Sequence, residues 1–147
     1  MPFKPLRLLI AYDPAGQRCD LVVPRMKELL VARGFDVDVH PIGSGTADLG
    51  DYSGVIIGTP VTGLGLRGTG PTTAVTDWIT AQDELDEKKV ALFCVFDVRQ
   101  GDVFDKMKNL ILEKGAEYVA EYGYWRARPT DGETLLPAEC MIRIRRG

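Results

Sequence analysis

Short, strongly apolar segments alternate along this chain with longer segments whose apolar residues recur at helical spacing. Three of the apolar segments are LRLLIAY (6–12), GVIIGTP (54–60) and KKVALFCVF (88–96). Continuous apolar runs of this length are typical of parallel strands that are covered on both faces. We therefore predict three buried strands, with the helical segments between them covering the sheet.

Two further segments also predict strands. FDVDVHP (35–41) alternates apolar and polar residues, which is typical of an edge strand with one wetter face, and EYVAEYGYW (117–125) predicts a last strand. Helical spacing of apolar residues predicts three helices, over residues 21–34, 72–85 and 102–116. Asp20 is the predicted N-cap of the first helix, which places Pro24 in the first turn, where no backbone N–H is needed.

This order of strands and helices predicts an α/β sandwich with right-handed crossover connections. The chain has 147 residues, a suitable length for one domain with a sizeable core. In such sheets, ligands bind outside the carboxyl ends of the strands, where the strand order reverses. Three loops are therefore candidates for a binding site, and they cover residues 13–20, 60–71 and 97–102.

The composition argues against several classes of protein. The net charge is −3, so the field of the whole molecule gives no reason to expect nucleic acid as a partner. No apolar stretch approaches the roughly 20 residues that cross a bilayer, and the first apolar run is too short for a signal peptide. The 3 cysteines (Cys19, Cys94 and Cys140) are widely spaced and form no CxxC pair, which favours reduced thiols in a cytoplasm.

Isolated motifs give little support to a hydrolase or a metalloprotein. Cys19 and Arg25 match the C-x5-R spacing of thiol phosphatases, but the residues between them are mostly apolar and favour a helix over an oxyanion loop. His40 is the only histidine, so the chain offers little for a Ser-His-Asp triad. The His, Cys, Asp and Glu residues show no spacing typical of metal ligands.

Three segments in the middle of the chain are similar to those of a known family. They are DYSGVIIGTPV (51–61), TTAVTDWI (72–79) and KKVALFCVF (88–96). A strand ending in Gly-[Ser/Thr]-Pro, a helix and a KKVALF-type strand, in this order, resemble the flavodoxin family, and the resemblance covers most of residues 6–120. It implies a three-layer sandwich with a five-stranded parallel sheet of order 2-1-3-4-5. It also implies FMN, bound across the three candidate loops.

The first loop differs from the family pattern. Flavodoxins typically read Ser/Thr-x-Thr-Gly-Asn-Thr where this chain reads Asp13-Pro14-Ala15-Gly16-Gln17-Arg18, so only Gly16 matches and Gln17 replaces the asparagine. The hydroxyl donors are absent, and Asp13 adds a negative charge. Backbone N–H groups, the helix dipole and the Arg18 guanidinium remain as possible phosphate donors. Phosphate binding and a plain strand-to-helix turn are both open interpretations of this loop.

The resemblance places two groups of residues at the cofactor. The first group would hold the phosphate and consists of Asp13, Pro14, Ala15, Gly16, Gln17 and Arg18. The second group would surround the isoalloxazine ring and consists of Pro60, Val61, Thr62, Gly63, Asp97, Val98 and Gly101. Relatives often have an aromatic residue directly after the third strand, where this chain has Thr62, so backbone N–H groups near Gly63 or Gly101 would face the ring.

The resemblance implies an FMN-binding flavoprotein of the cytoplasm that passes electrons to or from a redox partner protein. The altered first loop supports an alternative, in which flavin binding is lost and the domain is a protein-interaction or assembly module, for example a homodimer. A third alternative is an FMN-dependent oxidoreductase that resembles quinone reductases. The C-terminal arginines form either a docking patch for an acidic partner or a solvated tail, and they are Arg126, Arg128, Arg143, Arg145 and Arg146.

Overall fold

The computed structural model describes residues 6–45, 47–61, 70–97 and 99–125 of the chain. Within these residues, parallel strands form one sheet in the order β2-β1-β3-β4-β5. The strands are β1 (Arg7–Tyr12), β2 (Asp36–Pro41), β3 (Gly54–Pro60), β4 (Lys89–Phe96) and β5 (Glu117–Trp125). The helices are α1 (Val23–Ala32), α2 (Thr73–Ala81) and α3 (Val103–Glu113). The predicted α/β class and strand order are confirmed, while Cys140 and the C-terminal arginines lie outside the described residues.

The central strands supply both halves of the core, because successive residues of a strand point to opposite faces of the sheet. In β1, Leu8 and Ile10 pack with Met26 and Leu30 of α1 on one face. Leu9 packs on the other face with side chains of α2 and α3. Every residue of β3 is buried, as the continuous apolar pattern predicted.

A polar cluster joins the edge strand β2 to its neighbours. The Tyr52 hydroxyl donates a hydrogen bond to Oδ2 of Asp38 at 2.7 Å, and Nη2 of Arg7 donates to the same oxygen at 2.8 Å. The bond from Tyr52 and the charge and bond from Arg7 lower the pKa of the Asp38 carboxyl against the opposing effect of burial. The cluster therefore favours the ionised form of Asp38 in the folded protein.

The helix α1 begins later than the sequence predicted, and the assignment of Asp20 as its N-cap was wrong. Asp20 lies in a 3-10 turn over Cys19–Leu21, and the N-cap of α1 is Val22. The backbone N–H of Val22 donates to the carbonyl of Cys19 at 3.0 Å, so the chain makes this extra turn before the helix starts. Pro24 still falls in the first turn of α1, where it displaces no intrahelical hydrogen bond.

The helix α2 ends at Ala81, four residues before the predicted end. Gln82 is extended, with ψ at 129°, and its side-chain amide donates to the carbonyl of Trp78 at 3.0 Å. Leu85 then packs into the core outside the helix and is fully buried. An apolar residue at helical spacing therefore marked a core position and not a further helical turn.

Candidate functional site

The carboxyl ends of β1, β3 and β4 lie side by side. Tyr12 pairs with Gly58, and Pro60 pairs with Val95. The backbone N–H of Asp13 donates to the carbonyl of Gly58 at 3.1 Å, so the first loop leaves the sheet directly beside β3. The predicted loops after these strands therefore begin at one edge of the sheet, where the strand order reverses.

Asp13 is only 5% exposed, and its carboxylate is turned into the first loop. Its Oδ1 accepts a hydrogen bond from the backbone N–H of Ala15 at 2.9 Å. Its Oδ2 accepts one from the hydroxyl of Thr72 at 2.5 Å. A buried carboxylate requires donors in place of the water that it has lost, and these two groups provide them. Asp13 thus occupies donors that a bound anion would otherwise use.

Thr72 joins the first loop to the start of α2. It is the N-cap of this helix, and its side chain accepts from the N–H of Val75 at 3.4 Å. Its own N–H donates to the hydroxyl oxygen of Thr59, which is fully buried, at 3.1 Å. Neither threonine was in the predicted site. The sequence signals a helix start at Thr72, but the contact with Asp13, 59 positions away, follows only from the fold.

The first loop has a left-handed backbone at two consecutive residues. Gly16 has a φ of 70° and Gln17 a φ of 58°. Glycine adopts this conformation freely, whereas a side chain such as that of Gln17 makes it unfavourable by roughly 1–2 kcal/mol. The N–H of Gln17 donates to the carbonyl of Pro14 at 2.9 Å. Gly16 and Gln17 are exposed and form the outer rim of a loop that is closed by its own turn.

An ion pair bridges the first and third loops. Nη2 of Arg18 contacts Oδ1 of Asp97. About a third of the Arg18 side chain and more than half of the Asp97 side chain are exposed. The resemblance placed Arg18 at the phosphate and Asp97 at the ring, and the structure brings the two residues together. The positive charge of Arg18 is therefore matched by an acid of the protein itself.

An aromatic side chain lies beside the third loop. Trp125 is the last residue of β5 and pairs with Phe96 of β4. Its indole N–H donates to the backbone carbonyl of Asp97 at 3.1 Å, and the residue is 49% exposed. The sequence identified Trp125 only as a strand end. Its position at the site follows from the pairing of β4 with β5, which the local pattern does not specify.

The thiol of Cys19 is not an activated nucleophile. The residue is fully buried, and burial, together with the nearby charges of Asp13 and Asp20, raises its pKa. A phosphatase thiol needs a lowered pKa and exposure to the substrate. The match of Cys19 and Arg25 to the C-x5-R spacing therefore carries no chemistry of this kind.

The other predicted site residues fall into two sets. Pro60 is buried at the end of β3, and the half-buried Val61 donates its N–H to the carbonyl of Val95 at 2.9 Å. Gly101, with a φ of 56°, lies two residues before α3 at the same edge of the sheet. The second set lies outside the described residues and comprises Thr62, Gly63 and Val98.

The described part of the chain contains neither a candidate metal site nor a candidate membrane span. There, no group of three or more His, Cys, Asp or Glu side chains could hold a metal ion. None of the helices in that part is long and apolar enough to cross a membrane.

The phosphate of FMN does not fit the first loop as it is folded here. The N–H of Ala15 and the hydroxyl of Thr72 already donate to Asp13. The guanidinium of Arg18 is paired with Asp97. A phosphate in this loop would therefore compete with two internal carboxylates for its donors, and it would meet the negative charge of Asp13 at close range.

Comparison with known proteins gives similarity at the level of structure. No protein-family model and no curated protein sequence matches this chain. The two-electron reduced flavodoxin of Megasphaera elsdenii superimposes with a TM-score of 0.79 and 18% identity, over 92% of this chain and 98% of that one. Flavodoxin 2 of Bacillus cereus superimposes with a TM-score of 0.68 and 21% identity, over 95% of this chain and 98% of that one.

A larger enzyme contains a similar unit. The rubredoxin oxygen:oxidoreductase of Desulfovibrio gigas gives a TM-score of 0.73 and 17% identity, over 97% of this chain and 36% of that one. This chain therefore spans about a third of the length of that enzyme. Identities this low are evidence for the fold alone. The strand order, the covering helices and the near-complete overlap with two flavodoxins all indicate the same fold. The chain has a flavodoxin-like fold.

Proposed function

We propose that this domain binds a flavin non-covalently and exchanges electrons with a redox partner protein in the cytoplasm. The fold that it shares with two flavodoxins over nearly the whole chain supports the proposal. The position of the candidate site, at the carboxyl ends of β1, β3 and β4, is where ligands bind in sheets of this kind. The single observation that carries the proposal is the superposition of this chain on the flavodoxin of Megasphaera elsdenii over 92% of its length.

FMN is the cofactor that the resemblance implies, and its two ends have different surroundings in this site. The isoalloxazine ring would lie beside the second and third loops, near Val61, Asp97 and Gly101. A bound flavin supplies the redox chemistry, and the protein contributes orientation, electrostatics and exclusion of water. The phosphate end would lie at Asp13, which does not suit it. The proposal therefore depends on the ring and not on the phosphate.

The test is a flavin titration of the purified protein after removal of any bound flavin. We expect saturable quenching of riboflavin and lumiflavin fluorescence at micromolar protein. Gly101→Val should weaken binding several-fold, because a β-branched side chain strains the left-handed backbone of the third loop. Gly43→Val is the matched control, since Gly43 also has a positive φ and a Cβ there would meet nothing within 4 Å. Absence of binding of every flavin to the wild-type protein would contradict the proposal.

A second candidate function is a protein-interaction or assembly module without a flavin. One observation favours it: the carboxylate of Asp13 occupies the donors of the first loop. In that case the purified protein is colourless, does not quench flavin fluorescence, and sediments as a homodimer or with a partner. A yellow protein that sediments as a monomer would contradict this second function.

A further inference from the structure

We propose that the candidate site prefers a flavin whose ribityl chain ends in an uncharged hydroxyl, as in riboflavin, over the phosphorylated FMN. This inference rests on the proposed function, because it names the class of flavin that the same site takes. The inference is drawn from Asp13, whose buried carboxylate lies in the loop that corresponds to the phosphate-binding loop of flavodoxins.

The charge of Asp13 opposes a phosphate. A phosphate monoester carries between one and two negative charges at neutral pH, because its second pKa is near 6. Two like charges a few ångströms apart repel each other strongly where water is largely excluded, and salt screens them poorly there. Asp13 is 5% exposed, so its repulsion of a neighbouring phosphate is of this kind. The terminal hydroxyl of riboflavin carries no charge and does not meet it.

The hydrogen-bonding capacity of Asp13 points the same way. An ionised carboxylate only accepts hydrogen bonds, and it has about four lone-pair positions. The N–H of Ala15 and the hydroxyl of Thr72 use two of them. A ligand hydroxyl can donate to a position that remains, whereas a fully ionised phosphate has no hydrogen to donate. The polar groups of the loop therefore match an alcohol better than a phosphate.

The cation of the first loop does not reverse this preference. Arg18 is paired with Asp97 across the two loops. A phosphate would have to draw Arg18 away from Asp97 and would still face Asp13. The hydroxyl end of riboflavin leaves the ion pair intact. The contact that joins the two loops and the binding of an uncharged ligand are thus compatible.

Calorimetric titrations with three ligands test the inference. They are riboflavin, FMN and lumiflavin, which has the ring without the ribityl chain. In the wild-type protein we expect riboflavin to bind at least about tenfold more tightly than FMN, since repulsion of roughly 1.4 kcal/mol corresponds to that ratio. Asp13→Asn removes the charge while its side-chain oxygen still accepts from Ala15. It should lower the ratio of the FMN dissociation constant to that of riboflavin about tenfold or more.

A matched control shows whether the effect requires removal of the charge at position 13 or of any carboxylate charge. Asp48→Asn makes the same change at a residue whose carboxylate also accepts from the backbone N–H two residues later, Gly50, at 3.0 Å. Asp48 caps a 3-10 turn between β2 and β3. Its carboxylate and that of Glu84, which follows the end of α2, both lie beside Gly50, whereas Asp13 contacts the N-cap at the start of α2. We expect this variant to keep the wild-type ratio. Lumiflavin should bind equally to the wild-type protein and to both variants, because it places no group at Asp13.

The outcomes are distinguishable without relying on one variant. Tighter binding of FMN than of riboflavin by the wild-type protein would overturn this inference and leave the proposed function standing. Failure of all three flavins to bind would overturn both. If Asp13→Asn changes the circular dichroism spectrum, Asp13→Ser replaces it, since serine restores a hydroxyl typical of the family's loop. An unchanged ratio in a folded Asp13 variant would also overturn the inference.

Discussion

Asp13 and Thr72 are 59 positions apart in the chain, and their side chains share a hydrogen bond. Thr72 also caps α2 by accepting from the N–H of Val75. We expect Thr72→Val to lower the free energy of unfolding by about 1–3 kcal/mol, because it leaves a buried carboxylate with one donor fewer and uncaps the helix. Urea denaturation measures the change.

Thr72→Ser is the control for this prediction, because serine keeps the hydroxyl that serves both contacts. Its free energy of unfolding should lie within about 0.5 kcal/mol of the wild-type value. Equal stabilities for the valine and serine variants would show that the hydroxyl does not support Asp13 in solution.

At the same scale, the sequence shows which residues stand in the first loop but not what they touch. It identified Asp13 as an added negative charge in a loop without hydroxyl side chains. It did not predict that a hydroxyl from Thr72 reaches this acid, or that Arg18 turns to Asp97. Contacts between loops depend on how distant strands pair, and no local pattern specifies them.

Among the secondary structure elements, the edge strand β2 carries a pH-dependent contribution to stability. The pKa of Asp38 is lowered in the folded protein by the hydrogen bond from Tyr52 and by Arg7. This contribution to stability is complete above the ordinary aspartate pKa of about 4. It is lost as the pH falls through the lower pKa that Asp38 has in the folded protein. The thermal midpoint of wild type should therefore exceed that of Asp38→Asn most near neutral pH. The gap should shrink below about pH 4.

Asp36→Asn is the charge-matched control, since Asp36 contacts Arg7 only at 3.6 Å and its side chain is more than half exposed. We expect it to change the midpoint less than Asp38→Asn does, because exposed ion pairs of this kind contribute little. A constant gap between wild type and Asp38→Asn from pH 7 to pH 3 would contradict the assignment.

The packing of β3 against β4 requires a glycine at position 58. Gly58 pairs with Phe93, and a Cβ on Gly58 would overlap the Phe93 ring. We expect Gly58→Ala to lower the free energy of unfolding by about 1–3 kcal/mol, as overpacking of a core does. The loss should be smaller in a Phe93→Leu background, where the ring is absent. Equal losses in both backgrounds, measured by urea denaturation, would show that the two residues do not clash.

The five strands were predicted to within about one residue, whereas four of the six helix ends differ from the prediction by two to four residues. The strands have apolar runs that end at polar or turn residues, so the pattern marks both ends. Leu21 and Leu85 match the helical spacing but lie in a 3-10 turn and beyond the end of α2. Helical spacing does not distinguish a helix from a turn that leads into one, and it does not establish burial, since Leu85 is fully buried whereas Leu21 is 60% exposed.

For the whole molecule, the order of strands and helices predicted the position of the candidate site. The three loops could be chosen from the sequence because a parallel sheet brings the carboxyl ends of its strands to one edge. The chemistry at that edge could not, because it depends on contacts made by Thr72, Trp125 and Asp97. The fold is flavodoxin-like, and we propose that this edge binds a flavin whose ribityl chain ends in an alcohol.

The most direct test of this account is a two-dimensional NMR titration of the ¹⁵N-labelled protein with riboflavin. We expect shifts in the backbone amides that border the candidate site, which are those of residues 13–18 (apart from Pro14, which has none), 70, 72 and 99–101. The amide signals of Lys89 and Glu117 should not shift, because these residues lie at the amino ends of β4 and β5, away from the candidate site. An unchanged spectrum would contradict the account. So would shifts confined to the groove of about 330 Å³ that is lined by Ala47, Leu49 and Trp78.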